Sequence, residues 1–195
     1  ALSRDRSPPI DAVLAAGLLP RLVELMGEAF PKTVRFEAAW ALTNVASGTT
    51  AHTTAVVEWP GALEAFLRMA KDADPELREQ AIWGLGNVAG DSAAFRDRVL
   101  ALGGLEAVLG AIKGDGLAVV PLSMKRNATW ALSNLCRFKP PPQLEQVAPA
   151  IPVLAELIHS GDSEIEQDAC WAISYVSDGP NERIQAVLDQ GPGVV

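Results

Sequence analysis

The chain has 195 residues, of which 49% are hydrophobic, enough for one ordinary core or for a run of stacked repeats. Acidic residues outnumber basic ones by 24 to 16, and the resulting net charge of −8 argues against a nucleic-acid partner and in favour of a basic one. No apolar run is long enough to span a bilayer, and no basic-then-apolar leader opens the chain, so we expect a soluble protein that is not secreted and has no membrane partner.

The first helix signals along the chain are apolar segments that open at a glycine or a proline. Three of them start at Gly17, Gly61 and Gly103, which lie 44 and 42 residues apart, and a fourth starts at Pro149. Shorter helices are expected between these segments, at residues 53–58, 93–102 and 182–190.

Longer helices follow the apolar segments, and capping signals mark their ends. Asp74-Pro75 offers a capping aspartate with a proline at the first helical position, and residues 163–166 form a capping box. Glycines follow three of these helices, where left-handed C-caps are expected: Gly48, Gly90 and Gly179.

Each long helix carries a tryptophan followed four positions later by a polar residue. The pairs are Trp40 and Asn44, Trp83 and Asn87, Trp130 and Asn134, and Trp171 and Tyr175. The tryptophans lie 43, 47 and 41 residues apart, a period typical of armadillo or HEAT solenoids. Because a short, a middle and a long helix recur in each period, the armadillo unit is favoured over the two-helix HEAT unit.

We therefore predict an all-α, right-handed armadillo-repeat solenoid of three-helix repeats. Its expected divisions are a partial repeat at 1–30, then 31–72, 73–114, 115–160, and 161–195 running into a cut repeat. Both ends look cut, and a solenoid shields its terminal faces with capping repeats, so we expect a fragment whose open ends self-associate.

The tryptophan side of these helices is predicted to be a surface. Positions i and i+4 share a helix face, and the opposite face is apolar in all four helices, as at Ala38, Leu42 and Val45. An asparagine pairs with both N–H and C=O of an extended peptide, and neighbouring indoles form slots for the stems of lysine or arginine. Carboxylates at the slot ends would select for charge: Asp91 and Asp168, with Glu164 and Asp178 nearby.

Purely structural roles would also explain the same residues. A single helical tryptophan is more often a core residue, and each acid is consistent with an ordinary solvated surface. The three asparagines would also fit a purely structural ladder that hydrogen-bonds between neighbouring repeats. That alternative predicts that the asparagines matter for stability and not for any ligand.

Four strings around the tryptophans closely resemble importin-α (karyopherin-α), the adaptor family that recognises nuclear localisation signals. They are Phe36-Glu-Ala-Ala-Trp-Ala-Leu-Thr-Asn-Val-Ala-Ser-Gly48, Arg78-Glu-Gln-Ala-Ile-Trp-Gly-Leu-Gly-Asn-Val-Ala-Gly-Asp91, Arg126-Asn-Ala-Thr-Trp-Ala-Leu-Ser-Asn-Leu-Cys-Arg137 and Asp168-Ala-Cys-Trp-Ala-Ile-Ser-Tyr-Val-Ser-Asp-Gly-Pro-Asn-Glu-Arg183. Residues 3–11 look like the family's first repeat, so the likeness covers the earlier half of the family's solenoid.

The resemblance implies that this region is the family's major signal-binding groove, with an extended peptide antiparallel to the repeats. A key lysine would be held by Asp91, the hydroxyl of Thr53 and the carbonyl of Gly48. Trp40, Trp83 and Trp130 would form the slots, and Asn44, Asn87 and Asn134 would bind the peptide backbone. The groove would be completed by Ser47, Gln80, Asn127, Asp168, Trp171 and Tyr175.

The resemblance further implies nuclear import in the cytoplasm and nucleus, with basic nuclear-localisation-signal peptides of cargo proteins as partners. The family's basic segment that binds importin-β, and its later repeats, lie outside this sequence. Two departures are visible: Gly84 stands where an alanine is usual, which should soften its helix by about 1 kcal/mol, and Trp59 is out of register without an explanation.

Other functional classes are less well supported by the sequence. His52 and His159 have no nucleophile or metal-ligand arrangement near them, so we expect no enzyme, no cofactor and no metal. Cys136 and Cys170 are interpreted as small, reduced core residues of a cytosolic or nuclear protein. The main rival is a catenin-type armadillo scaffold for adhesion or signalling, which would need a basic groove where this chain has aspartate.

Overall fold

The computed structural model describes residues 9–117 and 119–189. Within these ranges the chain is helical throughout and contains no strand. The α-helices are α1 (Ile10–Ala15), α2 (Leu19–Leu25), α3 (Lys32–Ala46), α4 (Thr50–Glu58), α5 (Ala62–Met69), α6 (Pro75–Ala89), α7 (Ala93–Ala101), α8 (Gly104–Lys113), α9 (Leu122–Cys136), α10 (Leu144–Val147), α11 (Ile151–Leu157), α12 (Ser163–Ser177) and α13 (Asn181–Leu188), with a 3₁₀ turn at Ala148–Ala150 before α11.

The four fifteen-residue helices are α3, α6, α9 and α12, and they stack side by side in that order. Each also packs on the shorter helix before it, namely α2, α5, α8 and α11. The buried apolar faces form one continuous core, which includes Leu42, Leu85, Leu132 and Ala172. The prediction of an all-α armadillo solenoid is confirmed. Because a periodic array can be divided at any helix, the repeat boundaries stay a prediction.

Gly84 and Gly86 are required by close approach between repeats. A Cβ at position 84 would lie 2.4 Å from the Phe66 ring, and one at position 86 would lie 2.4 Å from the Trp130 ring. Both glycines are buried in α6. Gly84, which was predicted only to soften this helix, and Gly86 therefore provide the room in which two aromatic rings pack.

The expected left-handed C-caps are wrong for all three glycines. Gly90 has φ −79° and donates its N–H to the Gly86 carbonyl, and Gly48 is likewise absent from the positive-φ glycines of the described residues. The chain instead continues through a right-handed turn into an extended residue that caps the next helix, Thr49 or Ser92. Gly179 has a positive φ, of 155°, but this lies outside the αL region and the C-cap of α12 is the extended residue Asp178, so the third expected cap is not left-handed either.

A loop between α9 and α10 is held by two buried arginines. Arg96 is fully buried and donates to the carbonyls of Arg137, Phe138 and Pro140, the last at 2.8 Å. Arg183 is 5% exposed and donates to the Pro142 carbonyl. The charged heads thus satisfy loop carbonyls that would otherwise be buried without partners.

The two cysteines differ, so the prediction that both are core residues is wrong for one of them. Cys136 is buried, and burial raises the pKa of its thiol to about 12. Cys170 is exposed. It lies one position before Trp171, about 100° around the helix, and off the face of Ala169 and Ala172 that packs into the core.

Candidate functional site

The tryptophans of the four stacked helices differ in exposure. Trp83 is 42% exposed and Trp171 is 52% exposed, whereas Trp40 and Trp130 are half-buried. Trp130 packs against the core, with its ring over Gly86 of the neighbouring repeat. Exposed indole faces are costly for folding alone, so Trp83 and Trp171 are the strongest indications of a ligand surface.

Two aromatic pairs extend this surface. Trp171 stacks on Tyr175, with ring centroids 5.9 Å apart and planes at 21°. Trp40 lies against Phe36 at 6.2 Å in a tilted arrangement. Phe36 lies four residues before Trp40, so the same i, i+4 rule that paired Trp40 with Asn44 would have identified it.

The asparagines do not all point freely into the groove. Asn87 donates to the Thr43 carbonyl at 3.2 Å, and Asn134 donates to the Gly86 carbonyl at 3.1 Å. Asn44 bonds within its own helix, to the Trp40 carbonyl at 2.9 Å. Asn87 and Asn134 thus form the inter-repeat contacts of the structural alternative, and Asn134 is only 5% exposed. An amide retains a second N–H and its oxygen, so peptide binding by these residues stays a prediction.

Gln80 and Asn127 are also engaged across repeats. Gln80 is 4% exposed and donates to the Thr43 hydroxyl at 2.9 Å. Asn127 is half-buried and donates to a Glu79 oxygen at 2.7 Å, while Ser123 donates to the other oxygen of Glu79 at 2.9 Å. These bonds fix the side chains in place between α3, α6 and α9.

A cleft of about 470 Å³ lies between α3, α6 and α9 and carries an acidic rim. Sequence reasoning missed three of its carboxylates, Glu37, Glu76 and Glu79. Glu79 lies four residues before Trp83, on the same helix face, and that spacing was the available signal. The cleft is lined by Lys32, Thr33, Phe36, Glu37, Glu76, Glu79, Gln80, Trp83 and Asn127.

Asp91 has the most unusual environment of the predicted acids. One of its carboxylate oxygens, Oδ2, is buried and has no hydrogen-bond partner among the described residues. Asn87, one helical turn earlier, contacts Thr43 of α3. If that register continues for one more turn, Asp91 is expected to lie level with Ser47 and Gly48. A buried carboxylate oxygen without a partner is costly and favours a cation that brings its own N–H donors.

The residues expected beside Asp91 differ in their exposure. Ser47 and Gly48 are exposed, and Ser47 donates its hydroxyl to the Asn44 carbonyl at 2.9 Å. Thr53 is fully buried and donates to the Ala46 carbonyl at 3.1 Å. The Gly48 backbone is therefore open to a ligand, whereas the Thr53 hydroxyl would reach one only after a local shift.

The acids near Trp171 divide into paired and unpaired groups. Asp178 pairs with Lys139 at 2.9 Å, and Glu164 pairs with Arg126 at 3.0 Å. Asp168 is half-buried, and its burial, assisted by the negative charge of Glu164, raises the pKa of its carboxyl. An approaching cation would relieve that cost, so Asp168 is the acid of this end that is placed to attract one.

The described part of the chain shows no sign of two other kinds of site. It has no helix that combines the length and the apolar character needed to cross a bilayer. Nor does it bring three or more histidine, cysteine, aspartate or glutamate side chains together in a way that would hold a metal ion.

Comparison with known protein families identifies the repeat. The armadillo/beta-catenin-like repeat matches residues 6–47 and 139–178, and the HEAT-like repeat matches residues 32–88. A solved structure of a designed armadillo repeat protein in complex with the peptide (KR)4 has a TM-score of 0.82 and 26% identity, covering 93% of this chain and 74% of that one.

The most informative relatives are plant importin-α subunits. The chain is 52% identical over 191 residues to importin subunit alpha-1b of Oryza sativa subsp. japonica, and 54% identical over 190 residues to importin subunit alpha-4 of Arabidopsis thaliana. Both alignments cover 97% of this chain, which spans about a third of the relatives' length, 35% and 34% respectively. The chain is thus built of armadillo repeats, and the resemblance to importin-α is confirmed over nearly all of it.

Proposed function

We propose that this chain, an armadillo-repeat segment that closely matches importin-α, binds Lys/Arg-rich nuclear localisation signals as extended peptides. It would serve as the major cargo site of a nuclear import adaptor that moves between cytoplasm and nucleus. The role is one of binding, without catalysis. Importin-β would engage the whole protein through a segment beyond the residues considered.

The buried, unpartnered Oδ2 of Asp91 is the observation that carries this proposal. A lysine ammonium offers three N–H donors and a full positive charge, so it would satisfy that oxygen after a local shift that uncovers it, while also bonding the carbonyl of the exposed Gly48. A neutral ligand would leave the charge uncompensated. The designed armadillo protein with a (KR)4 peptide shows that this fold can accommodate a basic peptide.

The exposed rings of Trp83 and Trp171 supply the second part of the proposed site. Each would lie along the methylene stem of a lysine or arginine, and a cation–π contact contributes about 0.5–2 kcal/mol. The carboxylates of Glu37 and Glu79 add negative potential beside Trp83, whereas that of Glu76 is paired with Lys32 at 2.6 Å. The groove would therefore bind a side chain more tightly when it is both long and positively charged.

Fluorescence polarisation with labelled Pro-Lys-Lys-Lys-Arg-Lys-Val tests the proposal. Removing a charge-assisted bond at a buried acid should cost about 1.5–3 kcal/mol, so Asp91→Asn is expected to weaken binding at least tenfold. The peptide with its second lysine changed to threonine should lose a similar amount with the unaltered protein.

The matched control is Glu64→Gln, which removes one negative charge from an exposed position of α5. It should leave the affinity within about twofold, because screening weakens the effect of a distant surface charge. Equal losses in both variants would contradict a specific lysine site and would leave only general electrostatic attraction.

A further inference from the structure

His52 closes a capping box at the start of α4. The Thr49 hydroxyl accepts from the His52 N–H, and the Nδ1 atom of His52 accepts from the Thr49 N–H at 3.1 Å. Glutamate or glutamine usually provides this second bond, because it requires an acceptor on a flexible side chain. Here a titratable ring fills that role.

The contacts of the ring define its tautomer. Since Nδ1 accepts from Thr49, the ring proton of the neutral form resides on Nε2, which donates to a carboxylate oxygen of Asp11 at 2.8 Å. The His52 side chain is 13% exposed, whereas that of Asp11 is 94% exposed. The Asp11 bond therefore contributes little to stability, and the Thr49 bond is the one that fixes the ring to the helix start.

The same ring lies directly against Gly48. A Cβ on Gly48 would lie 2.3 Å from Nδ1 of His52 and 2.9 Å from the Cδ1 atom of Ile10. Gly48 is thus glycine because of these two neighbours, since its backbone has no left-handed φ. The imidazole therefore packs against the backbone of Gly48, whose carbonyl is the proposed lysine ligand.

We infer that His52 is a positioning residue for the lysine site, and that it holds Gly48 correctly only while its ring is neutral. This inference rests on the proposed function. Protonation turns Nδ1 from an acceptor into a donor, so the Thr49 N–H loses its partner. It also places a positive charge against Gly48, where it repels the incoming ammonium. Both effects weaken binding in the same direction.

Besides Asp11 of α1, the proposed lysine ligand Asp91 is expected on the Gly48 side of the ring, where its negative charge would partly offset that of a protonated ring. Asp11 of α1 pairs with the ring, and residues 43–49, at the end of α3 and in the following turn, contain no ionisable side chain. Among the described residues, Glu58 at the far end of α4 and the two charged side chains of α5, Glu64 and Arg68, form no ion pair with it.

Peptide affinity measured at pH 7.5 and pH 5.5, at constant ionic strength, tests the inference. The unaltered protein should bind about three- to tenfold more weakly at pH 5.5, as expected for two like charges several ångströms apart near a surface. His52→Gln should bind normally at pH 7.5, because glutamine can close the capping box, and should change by less than about twofold at pH 5.5. His52→Ala should bind more weakly than His52→Gln at both pH values.

Two controls separate this effect from other titrations. His159→Gln removes the other histidine and should keep the full pH dependence, and titration of carboxylates such as Asp168 would appear equally in His52→Gln. In ¹⁵N spectra the neutral His52 ring should be the Nε2–H tautomer, with an unprotonated Nδ1 that accepts from Thr49.

The outcomes distinguish two failures. Absence of binding at pH 7.5 would overturn the proposed function and this inference with it. Normal binding at pH 7.5 with the same pH dependence in the unaltered protein and His52→Gln would overturn the role of His52 alone.

Discussion

Gly86 shows how a single missing side chain shapes both the packing and the proposed groove. The Trp130 ring occupies the space that a Cβ would need, and Asn134 donates to the Gly86 carbonyl. The tryptophan and the asparagine of one repeat are therefore positioned by a glycine of the repeat before it. A helix interior would ordinarily favour alanine, so the glycine is retained at a cost to local helix stability.

Gly86→Ala is expected to lower the free energy of unfolding by about 1–3 kcal/mol, because the Trp130 ring has to move away from the new methyl group. Urea denaturation measures the change, and peptide binding should weaken in parallel as the indole shifts.

Gly110→Ala is the matched control for that substitution. It lies in α8, where a Cβ would meet only the end of the exposed Asp115 side chain, at 3.1 Å. Alanine there should stabilise the protein by about 0.5–1 kcal/mol, as glycine-to-alanine changes in helices generally do. Stabilisation by both substitutions would show that Trp130 does not depend on Gly86.

At the scale of the helices, Asp162 links two repeats through a cap. It is the N-cap of α12, where it accepts from the Ile165 N–H at 3.2 Å, and Arg126 of α9 bonds both of its oxygens, the shortest contact being 2.7 Å. The hydrogen bond from Arg126, together with that guanidinium's charge and the capping N–H groups, lowers the pKa of the Asp162 carboxyl although burial opposes the shift.

Thermal stability at pH 7 should therefore fall in the order unaltered protein, Asp162→Asn, Asp162→Ala. Asparagine still caps the helix but loses the ionic partner, whereas alanine loses both interactions. The pKa of Asp162 is lower in the folded than in the unfolded protein. The unaltered protein is therefore more stable than Asp162→Asn above about pH 4, and this difference is lost as the pH falls through the folded pKa.

Melting curves at pH 7 and at successively lower pH check this order, and Arg126→Met provides the partner for a double-mutant cycle. A stability difference between the unaltered protein and Asp162→Asn that does not shrink at any pH as the solution is acidified would show that the ion pair is not the cause.

The helices were predictable because their signals lie within one helix or recur at a fixed period. The Trp-bearing helices, the exposed faces of Trp83 and Trp171, and the capping aspartate Asp74 follow from spacing alone. The burial of Asn134 was not predictable, because it depends on how closely α9 approaches Gly86 on another helix. The unpartnered oxygen of Asp91 was likewise not predictable from the sequence of one helix. It depends on which donors the neighbouring repeats place near it, and the described residues place none there.

Over the whole molecule, the excess of acidic residues favours a basic partner for the proposed groove. Eight net negative charges would attract a basic peptide at long range, and the Asp91 carboxylate would act at short range. A catenin-type scaffold would use the same fold with a basic groove and would prefer acidic ligands. The two functions therefore predict opposite responses to the charge of the peptide.

Peptide binding should accordingly weaken as salt rises, because the Debye length falls from about 10 Å at 0.1 M to about 3 Å at 1 M. Polarisation titrations of the Lys-rich peptide between 0.05 and 0.5 M NaCl should show the affinity falling by about tenfold or more, with the logarithm of Kd rising steadily. A Glu-rich peptide of equal length is the control and should not bind even at the lowest salt. Part of the affinity should persist at 0.5 M, because contacts with the partly buried Asp91 and with the indoles are screened less than those of exposed charges. Salt-independent binding, or preference for the acidic peptide, would favour the scaffold over the import adaptor.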